Sequence, residues 1–126
     1  MDLRFVAEQC VSLVADQFSQ QLDWTLDSLT ALDDVCARLL ADGPLPESRL
    51  ELWWQLVGAY TGEVLIHAYG GAWGEHDRSS APVVVVKGNT ALPFTIAHRV
   101  LTAEPHKSLA SFARVFPAIL ARTEQD

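Results

Sequence analysis

A long, weakly charged segment that ends on paired glycines does most to limit what this chain can fold into. From Leu52 to Trp73 the only acidic or basic side chains are Glu63 and His67, and Gly58, Gly62, Gly70 and Gly71 punctuate the stretch. Pro44 and Pro46 precede it, so the spacing predicts a helix that starts near Glu47 or Ser48 and runs to Tyr69, where Gly70 and Gly71 stop it. Its apolar residues wrap most of the circumference, which marks a central helix covered on several sides. A carboxylate, an imidazole and the glycines suit a buried helix far better than a membrane span.

Directly after the glycines the period becomes extended. Pro82-Val83-Val84-Val85-Val86-Lys87 reads as a strand, because β-branched residues fit a pleated surface. Ala72-Trp73-Gly74 reads as a short strand before it, and Glu75 to Ala81 as a polar turn. Lys87-Gly88-Asn89-Thr90 supplies hairpin chemistry leading to a third short strand near Ala91 and Leu92. The expected product is a small antiparallel meander.

The remaining chain reads as helices. Leu3, Val6, Cys10, Leu13, Val14 and Phe18 recur at helical spacing, predicting an amphipathic helix from about Asp2 to Gln20. Thr25 is a suitable N-cap for a second helix, with Asp27 in its first turn, burying Leu26, Leu29, Leu32, Val35, Cys36 and Leu39 and ending at Asp42-Gly43-Pro44. Pro93 opens a helix over Phe94 to Thr102. Ser108 caps a last one bearing Leu109, Phe112, Val115, Phe116, Ile119 and Leu120, which Pro117 should kink or divide. The fold class is therefore α+β: a helical layer around a central glycine-containing helix, packed on a small three-stranded antiparallel meander, in a single domain over residues 1–126.

Charge narrows the function classes. With 16 acids against nine Lys and Arg, the net charge of −7 repels polyphosphate and anionic lipid, so no nucleic acid and no membrane is expected as a partner. A basic protein surface is attracted instead. The opening Met1-Asp2-Leu3-Arg4, with Glu8 and Asp16 among the apolar residues after it, lacks a secretory pattern, and a cytoplasmic protein is expected. Cys10 and Cys36 fall on apolar helix faces and read as reduced core residues.

Several short motifs recur in a known pattern. Leu22-Asp23-Trp24, Asp27-Ser28-Leu29, Gly58-Ala59-Tyr60-Thr61-Gly62-Glu63-Val64, Gly70-Gly71-Ala72-Trp73 and Pro93-Phe94 before His98-Arg99 span most of the chain, from about Leu22 to Phe112. Together they resemble an uncharacterised bacterial family of small α+β domains with a Tyr-x-Gly-Glu-Val signature and a Gly-Gly-x-Trp turn. The resemblance implies a fold and carries no activity.

Candidate chemistry centres on Glu63 and His67, one turn apart on one helix face, with Tyr60 a turn earlier. A buried carboxylate needs compensation. The favoured compensation is a scaffold ion pair with a cation such as Arg99. The alternatives are a metal shared with His67 and some of His76, Asp77, His98 or His106, and a general base in a pocket lined by Tyr60, Glu63, His67 and Trp73. The metal motif is weak, since di-iron helices repeat a three-residue spacing that is not seen here, and no metal or cofactor is expected. Gly58 and Gly62 suggest close packing of a neighbour on that face. Trp53 and Trp54 point about 100° apart on a helix, so one of them can be exposed, and an exposed tryptophan suits a protein contact. With no nucleophile elbow and no zinc spacing, the reading is a noncatalytic binding or regulatory domain, adaptor-like or immunity-like, acting as a monomer or homodimer. A small-molecule binder or enzyme built on Glu63 and His67 is the alternative.

Overall fold

The computed structural model describes residues 2–76 and 79–125. Its elements run α1 (Leu3–Phe18), α2 (Leu26–Leu39), α3 (Glu47–Tyr69), β1 (Ala72–His76), β2 (Ser79–Val86), β3 (Asn89–Ala91), α4 (Pro93–Leu101), α5 (Leu109–Arg114) and α6 (Phe116–Gln125). The fold is α+β, with the helices packed against a three-stranded antiparallel meander in the order β1-β2-β3. Among the described residues no helix is long and apolar enough to cross a membrane.

Local chemistry places most boundaries. The Asp2 carboxylate accepts the Phe5 N–H at 3.1 Å and starts α1, while Ser19, in the left-handed region at φ 55°, ends it before Gln20. The Thr25 hydroxyl accepts the Ser28 N–H at 3.3 Å and starts α2. Leu26, expected in the core, is instead exposed, because the first residue of α2 sits at the rim of the packed face. Gly70 closes α3 at φ 69°, a value that suits glycine.

The strands differ from the reading in two places. Glu75, His76 and Ser79 to Ala81 belong to the ladder, with His76 opposite Ser79, so the polar stretch is mostly strand; residues 77 and 78 lie outside the described residues. Polar side chains are ordinary on a strand with a solvated face, which is why composition misled here. The second hairpin turns on Lys87 and Gly88 alone, both at positive φ (48° and 80°), so Asn89 and Thr90 pair as strand. That tight turn matches the right-handed twist of its strands.

The last helix divides at Val115. Pro117 has no N–H to offer the Ala113 carbonyl, and that carbonyl accepts the Tyr69 hydroxyl at 3.1 Å. Leu120 lies where side chains fall outside the described residues. At the start of α5, Asp33 reaches across from α2 and accepts the N–H groups of Leu109 at 2.8 Å and Ala110 at 3.1 Å. Asp33→Ala should therefore cost about 1–2 kcal/mol in denaturant unfolding, with Asp33→Asn costing less because one acceptor remains. No loss with either change would mean that the carboxylate is not the cap.

The core gathers on α3. Gly58 lies under the Phe94 ring and Gly62 under the Trp73 ring, each too close to accept a Cβ. Bare backbone at these two positions lets α4 and β1 close onto the helix. Trp53 is buried and meets Phe18 edge to face at 6.1 Å; Trp54 is partly exposed and meets Phe94 at 5.7 Å.

Candidate functional site

Tyr60 stands at the buried centre of α3, facing the corner that joins α1 to α2. The Trp24 N–H donates to its hydroxyl at 2.9 Å. The hydroxyl lies 2.5 Å from Ser28 Oγ, which itself donates to the Thr25 carbonyl at 2.5 Å, so the tyrosine proton points to Ser28. This chain of bonds holds Trp24 in the left-handed region at φ 69°, which is uncommon for a bulky residue. The Trp24 ring lies 5.0 Å from the Tyr60 ring, and the Arg4 guanidinium packs on Trp24 at 3.9 Å.

Burial raises the Tyr60 phenol above its usual range. Inside the fold the hydroxyl's proton goes to Ser28 and one of its lone pairs to the Trp24 N–H. Tyr60→Phe should cost about 2 kcal/mol, since it strands the Trp24 N–H, and should shift Trp24 fluorescence; an unchanged denaturation midpoint would remove Tyr60 as the anchor of the corner.

Glu63 is nearly buried, its side chain 13% exposed. It accepts the Trp73 indole N–H at 3.3 Å and lies 3.8 Å from Arg4. The cation beside it is therefore Arg4 of α1, and Arg99, the expected partner, pairs with Glu104 at 3.8 Å. The antiparallel course of α1 on α3, which sets Arg4 by Glu63 and Phe18 by Trp53, makes that choice. Because Arg4 is half exposed, the pair is weak. Glu63→Gln keeps an acceptor for Trp73 and should cost less than about 1 kcal/mol in urea unfolding. A larger loss would show that the Arg4 pair is well shielded from solvent.

The structure thus brings Glu63 and Trp73 into contact and links Tyr60 to them through Trp24 and Arg4. His67, one turn beyond Glu63, is exposed and stands apart from this cluster, as do the exposed His98 and His106. Asp77 and the His76 side chain lie outside the described residues. Among the described residues no three His, Cys, Asp or Glu side chains converge as metal ligands. Arg4, Trp24 and Ser28 escaped the sequence reading as members of the cluster. The one signal was Trp24 directly before the Thr25 cap.

Concave surface occurs elsewhere. Two adjoining grooves of about 250 and 330 Å³ share Trp54, Ser80, Ala81 and Phe94. An apolar pocket of about 290 Å³ lies between the α2–α3 connection and the end of α4, lined by Leu45, Leu50 and Leu101 among others. Neither Glu63 nor His67 lines these cavities. Compared with family models, curated proteins and solved structures, the chain matches none of them.

Proposed function

We propose that this chain is a noncatalytic protein-binding or regulatory domain that acts in the cytoplasm on a basic protein surface, in the manner of an adaptor or an immunity protein. Membership of the bacterial α+β family that its motifs resemble is part of the same proposal. The observation that carries it is the placement of charge: Glu8, Asp16, Asp27, Asp34, Glu47 and Glu51 are all exposed along α1, α2 and α3, on a chain of net charge −7. Such a surface raises the rate of encounter with a cationic partner and repels anionic ones. A second support is that Tyr60 and Glu63, the groups best suited to chemistry, are engaged in holding Trp24, Trp73 and Arg4.

The test is retention of Lys- and Arg-rich peptides on immobilised protein, against acidic peptides of equal length, at low and high salt. The expected result is selective retention of the basic set, lost as salt rises, and weakened by reversing Asp27 and Asp34 to lysine. Equal retention of both sets, or of neither, overturns the proposal.

A further inference from the structure

The groove over Trp54 and Phe94 has a chemistry of its own, independent of the acidic helical surface. It consists of two adjoining open hollows of about 250 and 330 Å³ that share Trp54, Ser80, Ala81 and Phe94 where α1, α3, β2 and α4 meet, the larger of them within the size range of small-ligand sites. The floor is aromatic: the partly exposed Trp54 meets the largely buried Phe94 edge to face at 5.7 Å and 90°, and Phe94 packs on Trp73 at 5.8 Å. A planar apolar group laid on such a corner gains contact area without ordering flexible side chains.

One end of the depression is polar. Among the described residues Ser80, Thr95, His98 and Arg99 line it, and Arg99 supplies a cation. The Arg99 guanidinium is half exposed and lies 3.8 Å from Glu104, itself 43% exposed, a loose pair worth little in water. A ligand carboxylate that takes two of the guanidinium N–H groups at shorter range exchanges this contact for a better one. The charge of −7 disfavours a polyanion, but at physiological salt distant acids are screened beyond about 8 Å, so a single negative charge next to Arg99 is governed by its neighbours.

We propose that this groove binds a small aromatic monocarboxylate, with the ring on Trp54 and Phe94 and the carboxylate on Arg99, flanked by the Ser80 and Thr95 hydroxyls. The geometry makes Arg99 the specificity determinant and Glu104 an internal competitor for it.

The experiment is titration of the whole protein with benzoate, phenylacetate and indole-3-acetate, each against its uncharged amide, followed by tryptophan fluorescence and by calorimetry. Trp54→Phe identifies which of the tryptophans reports. The expected result is saturable binding of at least one acid, with its amide about tenfold weaker because the charge-assisted bond is lost. Arg99→Gln should remove that discrimination and Glu104→Gln should tighten the acid, both at an unchanged melting temperature. Absence of saturation with every acid, amides that bind as well as acids, or indifference to Arg99→Gln overturns the proposal. None of these outcomes bears on the basic-peptide experiment, so the two proposals fail separately.

Discussion

Raised above about pH 9, the protein is expected to lose stability steeply, and most of that loss traces to Cys10 and Cys36. Both thiols are buried and unbridged. Burial pushes Cys10 from 9.0 up to about 12, and it raises Cys36 too, with the Asp33 charge adding to the effect. Both groups have a folded pKa above the unfolded one, so their contribution is complete below pH 9.0 and is lost as pH rises toward the folded value. In that window the unfolded chain gives up each thiol proton while the folded chain keeps it, at about 1.4 kcal/mol per pH unit per group. Across the window Cys10 alone removes about 4 kcal/mol, a large share of the roughly 5–15 kcal/mol that holds a domain together. Tyr60, raised by burial, acts in the same direction at higher pH. Urea midpoints measured from neutral pH to about pH 11 should fall accordingly, and the slope should flatten when both cysteines are replaced by alanine. Identical slopes for the two proteins would show that the thiols are not the source.

Gly62→Ala is the substitution expected to do most damage for its size. Alanine ordinarily favours a helix over glycine by about 1 kcal/mol, so in an open position the change would stabilise. Here the new methyl meets Cη2 and Cζ2 of Trp73. The indole has no room to retreat: Phe94 lies against it with ring centres 5.8 Å apart, and its N–H is held by Glu63 at 3.3 Å. Overpacking of this kind costs about 1–3 kcal/mol, and two anchored neighbours place Gly62→Ala at the upper end, for a net loss of about 2 kcal/mol. Denaturant unfolding measures it directly. Pairing the change with Trp73→Leu should recover part of the loss, which a double-mutant cycle would report as a coupling between the two positions. A neutral or stabilising Gly62→Ala would place Trp73 elsewhere. Gly58→Ala against Phe94 tests the same principle one turn earlier.

Much of this architecture is legible in the sequence. Thr25, Ser108, Pro93 and Gly70 mark helix ends because capping is a contest among a few adjacent backbone groups, settled within one turn. The valine run and the all-round apolar character of α3 follow from side-chain shape and from period, which are also local. Gly58 and Gly62 announced a close neighbour for the same reason, since two glycines inside one helix have a propensity cost that only packing offsets.

The partners were not legible. Arg99 and Arg4 are equally good cations on paper, and only the antiparallel seating of α1 on α3 puts Arg4 beside Glu63. The bond from Tyr60 to Trp24 spans 36 residues, and the one from Asp33 to Leu109 spans 76. The groove over Trp54 and Phe94 likewise draws on α1, α3, β2 and α4, none of which carries its signature alone. Sequence by itself determined the helices, the valine strand and most of the faces that seek burial, because those preferences act over a few residues, whereas the polar residues Glu75, His76 and Ser79 to Ala81 became strand only through their pairing. Tertiary structure decided which charges meet, which hydroxyls are satisfied and where the surface is hollow, because these depend on how distant segments come together in space.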